Sequence, residues 1–107
     1  MDEQELDVIL NNSLTGDQTF IKNITKILKN TRYQKFYSYI FNFYKNNDKH
    51  PLSQNQIGYM YLDSLGVDKD YNEALKWFKL SADKNDSNAQ NNLGYMYIHG
   101  LGVDKDY

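Results

Sequence analysis

Few residues in this chain of 107 amino acids have side chains and spacings that could do chemistry. His50 and His99 stand alone in polar surroundings, with no second histidine at a spacing that binds a metal ion. The chain has no cysteine, so it has no thiolate ligand, no disulfide and no cysteine nucleophile. We interpret both histidines as solvent-exposed loop residues and predict no metal and no cofactor.

Paired carboxylates occur in the sequence Asp-Lys-Asp at 68–70 and again at 104–106. They lack the glycine and glutamate placement of a calcium loop, and their recurrence indicates helix capping and loop closure instead. No serine has the surroundings of a nucleophile, and Gly-Leu-Gly at 100–102 lacks the glycine and lysine of a phosphate loop. We therefore predict no catalytic residue and a chain that is not an enzyme.

A basic segment rich in aromatic residues is the remaining chemical candidate. Residues 22–49 hold seven basic residues and one acidic residue, and aromatic rings are interleaved with them. Such a mixture can hold phosphates and stack bases, so weak nucleic-acid binding by residues 22–45 stays an alternative. The formal net charge of -2 excludes a globally basic nucleic-acid binder. The aromatic spacing favours a core, with the lysines on a solvated face.

The overall composition is that of a folded chain, 40% hydrophobic and 24% charged. No apolar run approaches the roughly 18 residues that a membrane-spanning helix needs. The acidic N-terminus is unlike a secretory signal, and together with the lack of cysteine it predicts a cytoplasmic location. The thirteen asparagines are interpreted as coding bias of an A+T-rich genome.

An internal repeat determines the predicted architecture. Residues 54–71 and 90–107 are related by an offset of 36, and 13 of their 18 paired positions are identical. A period of this length is typical of stacked helix pairs. The sequence therefore predicts an all-α fold, a short α/α superhelical solenoid of helix-turn-helix repeats.

The pattern within one period predicts two helices. Apolar residues recur at helical spacing from Ser53 to Leu62, and Gly66 then interrupts the helix. Asp70 is the predicted N-cap of the second helix, with Glu73 as its reciprocal partner. The apolar stripe of that helix is formed by Ala74, Leu75, Trp77, Phe78 and Ala82. The second helix is predicted to end near residues 83–85, and Asp86 or Ser87 to cap the next one.

Four glycines recur in register within the repeat. Gly58 and Gly94 lie inside helices, where glycine costs roughly 1 kcal/mol relative to alanine. We infer that they let the two helices of a pair approach closely. Gly66 and Gly102 are predicted to adopt positive φ where the first helix ends.

These residues resemble the Sel-1-like repeat, a relative of the tetratricopeptide repeat, over about Ser53 to Tyr107. The first unit matches at Gly58, Tyr59, Tyr61, Gly66, Val67, Asp70, Tyr71, Ala74, Trp77, Phe78 and Ala82. The second unit matches at Ala89, Gly94, Tyr95, Tyr97, Gly100, Leu101, Gly102, Val103 and Tyr107. Ser53 and Ser64 depart mildly from the pattern. The resemblance implies an α/α superhelix that acts as a scaffold for protein–protein assembly.

The N-terminal half carries a weaker pattern. One helix is predicted from Asp17 or Thr15 through Asn30, and a second over residues 31–45. Residues 1–14 are expected to form a short amphipathic turn or to fray. The chain thus divides into an acidic segment 1–16, a helical region 17–52 that resembles a degenerate repeat, a repeat 53–88 and a partial repeat 89–107.

The function expected from this organisation is non-catalytic binding of a protein or peptide. The concave surface of a solenoid is formed by the first helices of the units. Its candidate partner-binding residues are Gln54, Asn55, Asp63, Gln90, Asn91 and His99. The tyrosines at 59, 61, 95 and 97 are expected to pack between helices. An alternative is a homo-oligomer that assembles through the unfinished C-terminal repeat, whose helix 89–98 lacks a following partner.

Overall fold

A computed structural model describes residues 1–103, which form helices and turns with no strand. The predicted all-α solenoid is confirmed. The predicted caps and loop closures at residues 104–107 lie outside the described residues. The helices are α1 (Glu3–Ser13), α2 (Gln18–Leu28), α3 (Tyr37–Asn46), α4 (Pro51–Asp63), α5 (Tyr71–Ala82) and α6 (Ser87–His99), with a 3₁₀ helix over Thr31–Phe36.

The six helices are of two alternating kinds. We call α1, α3 and α5 the outer helices, and α2, α4 and α6 the inner helices. Each outer helix turns one stripe inward at positions i, i+3, i+4 and i+7, the spacing of one helix face. The stripes are Leu6, Ile9, Leu10 and Ser13 in α1, Tyr37, Ile40, Phe41 and Tyr44 in α3, and Ala74, Trp77, Phe78 and Ser81 in α5. Ile9 is half-buried and the others are buried.

Aspartate side chains begin most of these helices. In α5, the Glu73 N–H donates to the Asp70 carboxylate at 3.0 Å, and in α6 the Ala89 N–H donates to Asp86 at 3.0 Å. These bonds satisfy backbone donors that have no partner within the helix. Both predicted caps are confirmed.

The reciprocal half of the cap predicted at Asp70 is wrong. The Asp70 N–H donates to the Tyr61 carbonyl at 3.2 Å, which ties the start of α5 to α4. The Glu73 carboxylate instead accepts a hydrogen bond from Trp77 Nε1 at 3.2 Å, one turn along its own helix. The Tyr61 carbonyl of α4 therefore accepts from the N–H group that a capping box would use.

The N-terminal segment is more ordered than expected, since residues 3–13 form a complete helix. Leu6 and Leu10 are fully buried, and the Ser13 hydroxyl bonds to the Tyr44 hydroxyl at 2.8 Å. The Tyr39 hydroxyl also donates to the Asp7 carboxylate. The expectation of a frayed turn is wrong because α1 docks on α2 and α3.

The helix predicted over residues 31–45 is divided. Residues 31–36 form a 3₁₀ helix, and Tyr33 departs from helical geometry at φ -101° and ψ 16°. The Asn30 side chain caps this segment, and the Tyr37 hydroxyl donates to the carbonyls of Leu28 and Asn30. These bonds serve carbonyls at the end of α2, where the tighter turn leads the chain back into α3.

The buried apolar residues form two clusters. The larger joins α1 to α4 and includes Trp77 of α5. The smaller comprises Leu62, Ala74, Phe78 and Met96 and joins α4, α5 and α6. The core therefore continues along the stack of helices, as expected for a repeat protein.

The glycines confirm the predicted close approach at one position and not at the other. A Cβ on Gly58 would lie 2.7 Å from the Phe78 ring, whereas a Cβ on Gly94 would meet nothing within 4 Å. Gly66 and Gly102 have φ of +75° and +69°, so their positive φ is confirmed. Their predicted place at the helix end is wrong, because the left-handed residues that end α4 and α6 are Ser64 and Gly100. Gly66 also packs against the Tyr37 backbone, where a Cβ would lie 2.7 Å from the carbonyl oxygen.

The surface of α6 that carries Tyr95 and Tyr97 is more exposed than expected. Tyr95 and Tyr97 are exposed, so the prediction that they pack between helices is wrong for this unit. Their counterparts in α4, Tyr59 and Tyr61, are half-buried because α3 and α5 both flank that helix. Within residues 1–103, no helix is long and apolar enough to cross a membrane.

Candidate functional site: a carboxamide-lined groove

The three inner helices enclose a groove with a cavity of about 360 Å³, which we call the central groove. Successive turns of α2, α4 and α6 face one another across it. Its lining residues are Ile21, Thr25 and Lys29 from α2 and its C-terminal end, Leu52, Asn55, Gln56 and Tyr59 from α4, and Asn88, Asn91 and Asn92 from α6.

The central groove continues into a further cavity at each end. One, of about 370 Å³, lies at the N-terminal ends of the inner helices and shares Ile21, Leu52 and Asn88. The other, of about 620 Å³, lies beside the C-terminal ends of α2 and α4 and shares Lys29 and Tyr59. The three cavities therefore lie end to end along α4, and we call this row of cavities the track.

Carboxamide side chains dominate the groove, and the repeat places them. Asn55 and Gln56 of α4 correspond to Asn91 and Asn92 of α6 at the offset of 36 residues. Asn88 adds a fifth carboxamide one turn earlier in α6. Equivalent positions on parallel neighbouring helices face the same side, so the two pairs meet in the groove.

The floor of the groove is held in place by a bond between two of these side chains. Asn92 Nδ2 donates to Asn55 Oδ1 at 2.9 Å, linking α6 to α4. Asn55 is 7% exposed and Gln56 is 5% exposed, whereas Asn88 and Asn91 are exposed on the wall. Packing and this hydrogen bond therefore fix the orientation of the Asn55 side chain at the floor.

The central groove is almost uncharged. Within the part of the chain that the structure describes, Lys29 is its only charged lining residue. Burial, and then the neighbouring Asp63 carboxylate, raise the pKa of Tyr59 to about 12. The Tyr59 phenol keeps its proton at neutral pH, and the neighbouring Asp63 carboxylate is placed to accept its hydrogen bond.

The arrangement is suited to binding. A carboxamide offers two N–H donors and one oxygen acceptor, and it neither supplies a nucleophile nor transfers protons near neutral pH. Among residues 1–103, no three histidine, cysteine, aspartate or glutamate side chains lie where they could together hold a metal ion. The groove can form directional hydrogen bonds with polar groups of a bound chain.

Two of the six candidate residues line the central groove. Asn55 and Asn91 lie opposite each other there, on α4 and α6. Asp63 lies outside it, in the cavity at the C-terminal end of α4, close to Tyr59.

The other three candidates lie elsewhere. Gln54 is 4% exposed, and its Nε2 donates to the Asp48 carbonyl at 2.8 Å, so its burial contradicts the expectation of partner contact. Its counterpart Gln90 is exposed and donates to the Ala82 carbonyl at 3.5 Å, again toward the preceding turn. His99 is exposed at the end of α6, where its ring lies 4.2 Å from that of Tyr95.

Sequence reasoning missed Gln56, Asn88 and Asn92. The repeat contained the signal, because Gln56 and Asn92 occupy equivalent positions directly after two of the candidates. Asn88 lies three residues before Asn91, which places both on one face of α6. The contribution of α2, through Thr25 and Lys29, had no such signal because α2 lacks the repeat motif.

The basic segment 22–45 offers little for stacking nucleic-acid bases. Phe36, Tyr37, Phe41 and Tyr44 are buried in the larger core cluster. A ring in the core is not available to a base, and the remaining aromatics of the segment are half-buried. The lysines are left on the surface without the stacking platform that the nucleic-acid alternative requires.

Comparison with known proteins supplies a family. The model described as Sel1 repeat matches residues 51–86 and 87–107. A crystal structure of a Sel1 repeat protein from Oxalobacter formigenes superimposes with a TM-score of 0.61 at 35% sequence identity. The superposition covers 72% of this chain and 36% of the other, so this chain spans about a third of that protein. No curated protein sequence matches the chain.

Proposed function

Because this chain belongs to the Sel1 repeat family, we propose that it is a non-catalytic scaffold that binds a protein or peptide partner in the central groove. Proteins of the family generally mediate protein–protein interactions. The family leaves the location of binding on this chain open, and the central groove is the location that we propose.

The observation that carries the proposal is the track of three adjoining cavities along α4, lined in its middle by five carboxamides. A long track whose middle has many hydrogen-bonding groups and almost no charge suits a polypeptide better than a small charged molecule. The lining residues also come from three helices, so that binding would connect successive repeats.

Selection of short random peptides displayed on phage tests this function. Peptides selected on the immobilised chain are expected to lose at least tenfold in affinity, about 1.4 kcal/mol, when Asn88 and Asn91 are both changed to aspartate. The change removes two N–H₂ donors and places carboxylates beside the carbonyl groups of the ligand. Isothermal titration calorimetry with synthetic copies of the peptides measures the loss.

The matched control is Asn72→Asp, which makes the same chemical change on the exposed face of α5. Affinity should remain within about twofold of the original chain. Equal binding by the Asn88→Asp/Asn91→Asp variant and the original chain would place the binding surface elsewhere and overturn the proposal.

A second candidate function is self-assembly through α6. Ile98 is 71% exposed, whereas its counterpart Leu62 is 7% exposed in the cluster with Ala74 and Phe78. Gly94 beside it is open, although the equivalent Gly58 receives the Phe78 ring. The pair α4–α5 supports this candidate, because an aromatic side chain of another helix packs at the position equivalent to Gly94. Tyr95 of a second copy can provide such a ring.

Light scattering over a range of protein concentrations tests self-assembly. We expect a mass that rises with concentration and is insensitive to salt, and a monomer for Ile98→Lys, which places a charge on the apolar flank. Val8→Lys is the control because Val8 is an exposed apolar residue on the distant helix α1. A monomer at every concentration would exclude this second function.

A further inference from the structure

The cavity beside the C-terminal ends of α2 and α4 has a different chemistry from that of the central groove. Its volume is about 620 Å³, and we call it the loop cavity because the loop between α4 and α5 forms one of its walls. The end of α2 and the 3₁₀ helix form the other wall. A volume of this size is typical of sites for small organic groups.

The two walls of the loop cavity are held together by close contacts of the backbone. A Cβ on Gly66 would lie 2.6 Å from the Tyr37 carbonyl carbon, so the loop packs directly on the start of α3. The Ser38 hydroxyl donates to the Gly66 carbonyl at 3.4 Å, and the Ser64 hydroxyl donates to the Val67 carbonyl within the loop at 3.1 Å. The shape of the cavity is therefore a property of the folded chain.

Positive charge and hydrogen-bond donors line the loop cavity. Lys29 contributes an ammonium group from the end of α2, and Lys69 contributes one from the loop on the opposite wall. Thr31 and Gln34 of the 3₁₀ helix add an O–H and an N–H₂ group. Donors from separate segments that face one cavity suit an anion with several oxygen acceptors.

The helix ends beside the loop cavity present carbonyl groups, which by themselves would repel an anion. At the end of α2, the Tyr37 hydroxyl donates to the Leu28 carbonyl at 3.0 Å and to the Asn30 carbonyl at 2.9 Å. At the end of α4, the Leu65 N–H donates to the Met60 carbonyl at 2.9 Å. These bonds engage the carbonyls and weaken their repulsion.

The charge of the α2 wall is positive, since residues 18–47 contain six basic residues and no acidic residue. Within the described part of the chain, Asp63 is the only carboxylate that lines the loop cavity. The Tyr59 hydroxyl forms a hydrogen bond with this carboxylate. An anion in the cavity therefore meets two ammonium groups and one carboxylate that already has a donor.

We propose that the loop cavity binds the phosphoryl group of a phosphate monoester between Lys29 and Lys69. A phosphoryl group has three terminal oxygens that accept charge-assisted hydrogen bonds, and a lysine ammonium binds it as a point charge. The remaining volume accommodates the organic group of the ester. That group belongs to a small molecule or to a phosphorylated side chain of a protein, and the phosphoryl chemistry is common to both.

Nuclear magnetic resonance titration of the isotope-labelled chain tests this site. The probes are phenyl phosphate and a glycine-flanked phosphoserine peptide, each compared with its unphosphorylated form. Both phosphorylated probes are expected to shift the backbone N–H signals around Ser38 and Gly66, and the unphosphorylated forms are not. A preference of about tenfold for the peptide assigns the ligand to a protein, and the reverse preference assigns it to a small molecule. Equal affinities support recognition of the phosphoryl group alone.

Substitutions in the lining have opposite expected effects on the affinity for phenyl phosphate. Lys29→Gln/Lys69→Gln removes both ammonium groups and should weaken binding about tenfold or more. Asp63→Asn removes the repelling carboxylate and should strengthen binding about threefold. Lys76→Gln/Lys79→Gln is the matched control, because it makes the same change of charge beside another cavity, on α5, and should change affinity less than about twofold. Melting temperatures verify that each variant is folded.

The outcomes separate this site from the central groove. Asn88→Asp/Asn91→Asp changes residues outside the loop cavity and should leave phenyl phosphate binding unchanged, so the inference is independent of the proposed function. An unchanged affinity for Lys29→Gln/Lys69→Gln would overturn the proposal, and so would an equal loss in the control pair. The absence of a shift with both phosphorylated probes would overturn it as well.

Discussion

At the scale of single residues, two glycines at the same position of the repeat have opposite environments. Gly58 faces the ring of Phe78, which belongs to the outer helix that follows α4. Gly94 faces open space, because no described helix follows α6. A single sequence feature therefore has different energetic consequences in the two units.

Alanine substitution at the two glycines should change stability in opposite directions. Gly58→Ala forces a methyl group into a buried ring and is expected to lower the free energy of unfolding by about 1–3 kcal/mol. Gly94→Ala reduces backbone entropy without a clash and should raise it by about 0.5–1 kcal/mol. Urea denaturation of both variants measures the difference, and a gain for Gly58→Ala would contradict the packing described here.

Ser53 is a second residue whose environment differs from that of its counterpart. Its hydroxyl is buried with no hydrogen-bond partner among the described residues, and the equivalent residue of the next unit is the buried Ala89. We expect Ser53→Ala to raise the free energy of unfolding by about 1 kcal/mol, because an unpaired buried hydroxyl costs about that much. Ser87→Ala, at an exposed position, is the control for denaturation measurements.

At the scale of helices, α1 and α5 are in register over their whole length. Asp2 and Asp70 are both N-caps, and Ser13 and Ser81 are both buried near the C-terminal end. An offset of 68 residues relates the two helices, close to two periods. This correspondence supports, as a proposal, the interpretation that residues 17–52 are a degenerate repeat flanked by helices of the same kind.

The bond between Ser13 and Tyr44 should couple α1 to the rest of the stack. In a double-mutant cycle, Ser13→Ala and Tyr44→Phe are expected to show a coupling free energy of about 1 kcal/mol, the usual net contribution of a buried hydrogen bond. Ser81→Ala with Tyr44→Phe should be additive, since Ser81 bonds to the Pro51 carbonyl instead. Additivity in the first pair would mean that this hydrogen bond contributes nothing to the docking of α1.

At the scale of the whole molecule, the stack is elongated, measuring 45 × 26 × 21 Å. An elongated stack leaves little room for a central core, so aromatic residues fill the space between successive helices. Several of their phenol groups are withdrawn from water. Burial raises the pKa of Tyr44 to about 12, although the hydrogen bond between the Ser13 and Tyr44 hydroxyls opposes the shift. The pKa of Tyr59 is also raised to about 12.

These tyrosines predict a loss of stability in alkaline solution. Their pKa values are higher in the folded chain than the ordinary value of 10, so their contribution is complete below about pH 10 and declines as pH rises to about 12. Each pH unit in that window should cost up to about 1.4 kcal/mol per tyrosine, and less for the partly solvated Tyr59.

Denaturation midpoints measured across the alkaline range test this prediction. Tyr44→Phe should make stability decline less steeply with pH, because the most deeply buried phenol is then absent. A decline of unchanged steepness would show that Tyr44 ionises at the same pH in the folded and unfolded chains.

Much of the fold follows from the sequence alone. The identity between residues 54–71 and 90–107 establishes the period, and helix starts at Asp70 and Asp86 follow from local hydrogen bonding that needs no distant contact. These features are local or repeat in register, so a single sequence is sufficient to infer them.

The groove and the N-terminal helix were decided by tertiary structure. Helical phase alone placed Asn55 and Gln54 equally on the predicted surface. In the structure, Gln54 is buried and donates a hydrogen bond to the Asp48 carbonyl in the preceding turn. Likewise, α1 is held by Tyr44 and Tyr39, which lie about thirty residues away. Whether an asparagine faces a groove, a turn or solvent depends on which helix packs beside it, and that packing is a property of the assembled stack.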